Sequence, residues 1–557
     1  MGRLGHGVAN RGLGVAMSVA NYPAASRRDT VTLASRACRR ARLDLVAGGP
    51  YHREMNRSAR RAAPWLVLLV WAAGCGDDTV TPTAGAPEQA AGEGGAAGEK
   101  SAAGGAGAAT DAGQAGDANE AGDATGGDAG RDGNGGAAGQ GEAGGSEAGA
   151  AGEAVVGDPS REILDTTLAI DLGAQIGTAS ITLAASDSAG ASFEIGDLDI
   201  EAVTSDGAPL RFRDRGAVLD IDVPASTAPL VVQIDYAWHF HESLDGISTQ
   251  GFVFTWPYYC GNVFPCHSSP RDGTQFHLSL EGVSAPNTAV FAAEIASDAP
   301  PYMASWAIGQ YTELPLGETT DGTSVSVWYT PGGRADAETG SAHLAAAFDW
   351  LEQNLGPYRF GSHVGTVSMP WMGGGMEHHP FWQVARDTMA DEVTQVHEAA
   401  HGWFGDGVRL ACWEDLVLSE GTATYLAARA LEATAGTGVS DVVWQGYADE
   451  LDDFTALGTS HVAWLPTCDA IDVLQSGLFS RNPYIKGAFF YRGVELKVGR
   501  AELDEALRTF YERFGGRAAG MQDMLDVIEE VTGYDAGSCA GAWLTTASPV
   551  PQPGACP

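Results

Sequence analysis

No run of 18 or more apolar residues occurs in this 557-residue chain, so a membrane-spanning helix of ordinary length is excluded. Basic residues are scarce: 32 Lys+Arg stand against 71 Asp+Glu, a net charge of −39. That deficit excludes a nucleic-acid binder, which needs a basic footprint, and argues against docking of the folded part on anionic lipid. Other shortages are local. Residues 1–75 hold 12 Arg but no Lys and 3 acids, and residues 84–154 hold no aromatic side chain. Apolar residues are not short overall, at 44%, which excludes wholesale disorder. The length predicts two to four domains, and the uneven charge divides them: residues 1–75 carry a net +9 and the remainder −48.

Residues 1–54 are Arg-rich and unperiodic, and no functional pattern fits them. They are read as a start-site artefact, with translation beginning at Met55. From there the chain reads MNRSARRAAPWLVLLVWAAGC. Arg57, Arg60 and Arg61 form a positive segment. Ala62 to Ala73 form an apolar stretch of 12 residues, the length of the apolar core of a signal peptide and too short to span a bilayer. Small residues then precede Cys75. Residues 55–74 with Cys75 resemble a bacterial lipoprotein signal, in which the cysteine is lipidated and becomes the N-terminus, although Ala72 stands where that pattern usually has Leu. The alternative is an ordinary secretory signal with an Ala-x-Gly cleavage site. Of residues 84–154, 47 of 71 are Gly or Ala. Such a stretch cannot bury enough apolar surface to offset its conformational entropy. Residues 75–157 are therefore expected to be a disordered tether behind a lipidated cysteine, or a disposable propeptide.

The chain reads as globular from about residue 160. Runs such as ASITLAA, VLDIDVP, LVVQIDYAW and TQFHLSLEG alternate apolar with polar residues and are separated by Gly, Pro, Asp and Ser. They predict an antiparallel β-sandwich over 158–315. His239 and His241 would share a strand face there, as a metal pair or, more simply, as polar residues on one side of a sheet. The period changes near Gly340. HLAAAFDWLEQNLG places Leu344, Phe348, Leu351 and Leu355 on one helical face with Gly356 as a stop. ELDEALRTFYERFGG and MLDVIEEVTG read the same way, giving a mainly helical segment 316–557 and a multidomain α+β chain.

The chemistry lies in this second segment. VHEAAHGWFGDGV contains His397, Glu398 and His401 as H-E-x-x-H. On a helix, residues four apart face the same way, so both imidazoles can reach one ion. Neutral imidazole nitrogens suit Zn²⁺, a catalytic zinc takes three protein ligands and keeps a position open, and Glu398 is placed to take a proton from water. Glu420, 18 residues beyond His401 on a second predicted helix, is a suitable third ligand.

The string H-E-x-x-H-G-W-F-G-D followed by W-x-D-L-x-L-x-E-G-x-A-T-Y closely resembles the aminopeptidase N-like gluzincins. That resemblance implies one zinc ion held by His397, His401 and Glu420, with Glu398 as general base and Asp415 orienting a ligand from behind; the plainer reading of Asp415 is an acid favoured at a helix N-terminus. GGGMEHH resembles the family's G-x-M-E-N through Gly374, Gly375, Met376 and Glu377, with His378 in place of Asn. It implies that the glycines admit a substrate backbone and that Glu377 binds a free α-amino group. NPYIKGAFF matches the family's Y-x-K-G, which implies that Tyr484, 64 residues beyond Glu420, donates to the oxyanion.

The first half is similar to the family too, through FPCHSSPRDGTQFHLSLE and APPYMASWAIGQY. One departure stands out: relatives usually offer a second glutamate about ten residues before F-P-C, where this chain has Trp256 in FTWPYYCGN. The resemblance covers about residues 160–557. It implies a saddle-like β domain followed by a thermolysin-like catalytic domain, without the large helical C-terminal domain of many relatives and hence with a more open cleft.

Six cysteines lie in the folded part: Cys260, Cys266, Cys412, Cys468, Cys539 and Cys556. An even set in an exported protein predicts disulfides. Six allow 15 pairings; proximity favours Cys260–Cys266 and Cys539–Cys556, leaving Cys412–Cys468. The expectation is thus an exported zinc metallopeptidase acting on peptides, most simply an aminopeptidase, lipid-anchored on Cys75 to a bacterial envelope on its periplasmic or outer face. The rivals are an endopeptidase with the same zinc site, favoured by Trp256, a surface-anchored binding protein on an inactive scaffold, and a hydrolase of non-peptide bonds. The acidity of residues 156–557, with 18 bases and 54 acids, predicts long-range attraction of cationic peptides that added salt weakens.

Overall fold

A computed structural model of the chain describes residues 155–469, 471–547 and 554–557. The start-site segment, the signal segment with Cys75 and nearly all of the Gly/Ala tether lie outside the described residues. Among the described residues, no helix is long and apolar enough to cross a membrane.

Alternating side chains build the first half. Along Ile176–Leu183 the inward positions are Gly177, Ala179, Ile181 and Leu183, and the register sets Ala179 opposite Ile234 and Ile181 opposite Val232. These pairs belong to a seven-stranded sheet in the order Glu294–Ala299, Thr274–Glu281, Ile163–Asp171, Ile176–Leu183, Leu230–Ala237, Asp199–Ser205 and Ala208–Pro209. A three-stranded sheet of Ala191–Glu194, Val218–Ile221 and Phe212–Asp214 contributes Phe193, Leu219 and Ile221 to the same core. The sheet is not wholly antiparallel, as the sequence pattern predicts. Ile163–Asp171 and Thr274–Glu281 run parallel, with Leu168 opposite Leu278. About a hundred residues separate them, so no hairpin dictates their direction.

The second half is less purely helical than its sequence pattern implies. It opens with a five-stranded mixed sheet in the order Thr312–Glu318, Ser324–Tyr329, His363–Met369, Gln383–Ala385 and Gly375–Met376. Ser324–Tyr329 and His363–Met369 are parallel and joined by a crossover through helices α1 (Arg334–Gly340) and α2 (Leu344–Leu355). In α2 the predicted face is the buried one: Leu344, Phe348, Leu351 and Leu355 are each at most 1% exposed. The short edge strand Gly375–Met376 lies antiparallel to Gln383–Ala385 and packs beside the next helix, α3 (Glu392–Ala400).

The remaining helices are α4 (Leu416–Ala435), α5 (Thr437–Leu457), α6 (Asn482–Val498), α7 (Arg500–Phe514), α8 (Met521–Thr532) and α9 (Gly537–Trp543). Every residue of α4 from Leu416 to Leu431 is buried, which marks it as the central helix of this half. It closes on α6 through two glycines. A methyl group at Gly487 would stand 2.5 Å from Gly421 Cα, and one at Gly421 would stand 2.7 Å from Gly487 Cα. Only glycine at both positions lets the two backbones approach this closely.

The six cysteines form Cys260–Cys266, Cys412–Cys468 and Cys539–Cys556, the pairing that proximity favours. Cys412–Cys468 ties the entry of α4 to the loop leading towards α6.

Candidate active site

Helix α3 begins at a firm cap. The Asp391 carboxylate accepts hydrogen bonds from the backbone N–H groups of Val393 and Thr394, at 3.2 and 3.3 Å, and from the Thr394 hydroxyl at 2.6 Å. His401 follows the last residue of α3 but keeps right-handed helical backbone angles, so the four-residue spacing from His397 still places both rings on one side. His397 Nε2 and His401 Nε2 are 3.1 Å apart. Glu420, from the second turn of α4, brings its Oε2 to 3.2 Å from His397 Nε2 and 3.4 Å from His401 Nε2. Three lone-pair donors thus converge on one point.

The opposite edges of both imidazoles are held. His401 Nδ1 lies 2.9 Å from the Phe404 carbonyl oxygen. A carbonyl only accepts, so Nδ1 carries the proton and Nε2 presents its lone pair. His397 Nδ1 lies 3.3 Å from Thr424 Oγ1, whose hydroxyl lies 2.6 Å from the Glu420 carbonyl oxygen. Ser419 Oγ is 3.1 Å from His401 Nδ1.

Glu398, Glu377, Gly374, Gly375 and Tyr484 line the same cavity as these three residues, together with Val393, Thr394, Thr424, Tyr447 and Arg481. Gly375 has a reason to be glycine that the sequence does not reveal: a methyl group there would fall 2.5 Å from Glu398 Cδ. Glycine at this point makes room for the Glu398 carboxyl as well as for anything bound. Behind the α3 backbone, His379 Nε2 donates to the Glu398 carbonyl oxygen at 2.8 Å, and Tyr358 Oη is 2.8 Å from His379 Nδ1. Tyr484 stacks on His397 with ring centres 5.7 Å apart, and its hydroxyl donates to Glu420 Oε1 at 2.8 Å. Lys486, of the same Y-x-K-G run, faces away and donates to the carbonyls of His461 and Thr546, at 2.5 and 3.1 Å. Burial pushes its ammonium down to about 8.

Burial also shapes the acids of the cavity. It pushes the Glu377 carboxyl up to about 7 and the Glu398 carboxyl well above the usual carboxylate range, with Glu377 and Glu420 as further negative neighbours. It pushes the His397 imidazole down to about 4. Burial works against the His401 imidazolium too, but Glu377, Glu420 and Glu398 around it outweigh that effect and hold it well above its ordinary value.

The donor set fits zinc. Two imidazole nitrogens and one carboxylate oxygen meet with all ligand atoms inside 4.8 Å of one another. That is the ligand type and number of an open catalytic zinc site, and the surrounding surplus of buried carboxylates favours a divalent cation.

Other sequence expectations need correction. Asp415 reaches neither imidazole nor Glu420. Its Oδ1 accepts from Trp464 Nε1 at 3.0 Å and from the Met521 backbone N–H at 2.9 Å, so it caps the start of α8 and braces the loop before α6. The contacts behind the ligands come from Phe404, Ser419 and Thr424 instead. Met376 is 4% exposed and packs in the core, so it offers the cavity no side chain. His378 is buried between Phe254 and Tyr302 rather than facing the cavity. Trp256 packs on Trp413 and Phe479, with ring centres 5.5 and 5.3 Å away. His239 and His241 do not form a metal pair: exposed His239 faces Asp199 at 3.1 Å, and the largely buried His241 faces Asp245 and Asp197 at 3.3 and 3.4 Å. Thr424 and Arg481 escape the sequence reading. Thr424 stands one helical turn after Glu420, a spacing that could have flagged it; nothing local marks Arg481.

Comparison with known proteins places these features. Residues 380–543, which span α3 to α9, match the model of the peptidase family M1 domain. Aminopeptidase N of Streptomyces lividans is 26% identical over 266 residues, covering 44% of this chain and 31% of that protein. Leucine aminopeptidase 2 of Candida albicans is 24% identical over 310 residues, covering 48% of this chain and 47% of that one. The matches thus span about a third to a half of these relatives' length. Among solved structures, the M1 zinc metallopeptidase from Deinococcus radiodurans superposes with a TM-score of 0.59 at 19% identity, covering 71% of this chain and 97% of that one. That likeness shows the fold: a β-sheet domain followed by a mainly helical one.

Proposed function

We propose that this chain, whose residues 380–543 match the peptidase family M1 domain, is an aminopeptidase N-like gluzincin: a zinc-dependent aminopeptidase, hydrolysing the first peptide bond of peptides. The observation that carries this reading is the meeting of His397 Nε2, His401 Nε2 and Glu420 Oε2 within 3.1–3.4 Å, in a cavity that also holds Glu398 and Glu377. His397, His401 and Glu420 would hold a zinc ion, which when bound would supply a Lewis acid for the scissile carbonyl and for water at the site.

The chain's own groups do the rest. Glu398 takes a proton from the water as its oxygen attacks the carbonyl carbon, and delivers that proton to the nitrogen as the C–N bond breaks. The burial that raises its proton affinity suits both halves of this transfer. Tyr484 releases Glu420 and donates its hydroxyl to the oxyanion, a donor aimed where charge develops. Glu377 receives the ammonium of the substrate N-terminus, and Gly374 with Gly375 leaves the backbone room.

Glu398→Gln is expected to bind zinc at the wild-type ratio while kcat falls on the order of 10²–10⁴-fold. Near wild-type turnover by that variant, measured alongside metal content, contradicts the mechanism. The placement of Trp256 among aromatic rings favours a second reading, an endopeptidase with no N-terminal selection, because Glu377 then lacks the acidic companion that relatives offer. We further propose export and lipid anchoring on Cys75, supported by the positive, apolar and small-residue segments of 55–75. Incorporation of a labelled fatty acid, abolished by Cys75→Ala, tests it.

A further inference from the structure

A second cavity, of about 280 Å³, lies where the two halves of the described chain meet, and it shares no residue with the cavity of the ligand triad. Its wall carries Glu162, His267, Arg271, Asp272 and Gly273 from the first half and Arg409 from the second. Arg409 opens the short strand Arg409–Leu410, which runs parallel to Ala518–Ala519. Its guanidinium spans the junction. Nε donates to the Arg271 carbonyl oxygen at 3.1 Å, and Nη1 to the carbonyl oxygens of Asp298 and Gly516 at 3.1 and 3.2 Å. Gly273 leaves the space for it, since a methyl group there would fall 2.3 Å from Arg409 Cζ. All three acceptors are neutral. Nη2 has no hydrogen-bond partner among the described residues and is not sealed in protein, so its N–H groups are left to the cavity.

The charge on this group is unanswered. Arg409 is only 7% exposed, yet among the described residues no carboxylate forms an ion pair with it. Asp272 faces His267 instead, with Oδ2 3.5 Å from Nδ1, and Asp298 and Glu162 act on the guanidinium only from a distance. Burial accordingly pulls the guanidinium below its ordinary value. A buried charge is costly unless it is paired, and the cavity beside this one far exceeds the roughly 10–15 Å³ that a single water needs. Arg271 adds a second guanidinium to the same wall. Its side chain is exposed and makes no hydrogen bond or ion pair among the described residues.

We propose that this cavity is a binding site for a small monocarboxylate, which accepts hydrogen bonds from Arg409 Nη2 and is the counter-ion that the buried guanidinium lacks. Charge-assisted bonds of this kind are the strong ones, and a guanidinium already fixed by three carbonyls loses little freedom in making them. Glu162 and Asp272 on the same wall oppose a dianion such as phosphate, so a single negative charge is the better match. A bound carboxylate would brace the junction, because Arg409 is tied to Arg271 and Asp298 on one side and to Gly516 on the other. The site stands apart from the proposed hydrolysis and does not rest on it.

The test follows trifluoroacetate by fluorine NMR on the zinc-loaded full-length protein, at ionic strength held constant with chloride. Acetate and inorganic phosphate serve as competitors. Saturable binding displaced by acetate is expected, with affinity lowered about tenfold or more in Arg409→Gln and by a smaller factor in Arg271→Gln. A carboxylate could also ligate the zinc, so the titration is repeated after chelation; binding that persists supports the proposal, and binding lost entirely with the metal overturns it. Tm and zinc content are recorded for each variant. Where Arg409→Gln fails to fold, Arg271→Gln decides, because that exposed side chain holds no other group in place among the described residues. No saturable binding in the wild type, or wild-type affinity in every variant that folds, overturns the proposal. Displacement by phosphate at lower concentration than by acetate overturns the monocarboxylate assignment.

Discussion

Thr424 has a single hydroxyl hydrogen, and the 2.6 Å contact with the Glu420 carbonyl takes it. Towards His397 Nδ1 the same oxygen can then only accept, which leaves the proton on Nδ1 and the lone pair on Nε2, facing the metal position. Thr424→Val removes this lock with little change in shape. The expected outcome is zinc affinity weakened by roughly 10–100-fold, read by competition with a chromophoric chelator; unchanged affinity contradicts the role. At this scale the sequence was most informative where one helix sufficed. His397, Glu398 and His401 lie within five residues, so periodicity alone brings them together, and Glu420 follows from a string rich in family-specific residues. Asp415 stands at the N-terminus of α4, as its plainer reading has it, but the ligand-orienting role that the resemblance implies does not hold, because its partners, Trp464 and Met521, lie 49 and 106 residues away. The place of Arg481 on the cavity wall is not legible locally, because Glu450, which accepts from it, lies 31 residues away.

Among elements, the contact that sets the site is the crossing of α4 and α6 at Gly421 and Gly487, since each helix carries a site residue one or three positions away: Glu420 on α4 and Tyr484 on α6. Gly487→Ala pushes a methyl group to 2.5 Å from Gly421 Cα and 2.8 Å from Val417 Cγ2. Overpacking of this kind costs about 1–3 kcal/mol, more than the roughly 1 kcal/mol of helix propensity that alanine returns. A lower unfolding free energy together with reduced kcat is expected. Gly446, inside α5 with nothing within 4 Å of an added methyl group, is the control: Gly446→Ala is expected to stabilise the protein by about 0.5–1 kcal/mol in denaturant melts. Equal behaviour of the two variants contradicts the crossing argument. Both glycines stand in motifs visible in the sequence, yet their pairing across two helices is not; nor is the parallel direction of Ile163–Asp171 against Thr274–Glu281, because alternation fixes which face of a strand is buried and not which way its neighbour runs.

For the whole molecule, the net charge belongs chiefly to the folded part: residues 156–557 hold 54 acids and 18 bases. A field of this sign raises the encounter rate of cationic peptides and is screened by salt. For a substrate lengthened by lysines, kcat/KM is expected to fall as ionic strength rises from about 0.01 to 1 M, over which the screening length drops from about 30 to 3 Å. For a neutral zwitterionic dipeptide it is expected to change little. The long-range field thus governs approach, while Glu377 acts inside the cavity; identical salt responses would contradict this division.

In the proposed reaction, zinc on His397, His401 and Glu420 works together with a substrate N-terminus anchored on Glu377. One paired assay decides this: a matched set of peptides with free and N-acetylated amines, each assayed with enzyme as purified, after chelation, and after zinc is restored. Rapid release of the first residue is expected from free-amine peptides only, abolished by the chelator and returned by zinc. Cleavage of acetylated peptides at comparable rates, or turnover indifferent to the chelator, would contradict it.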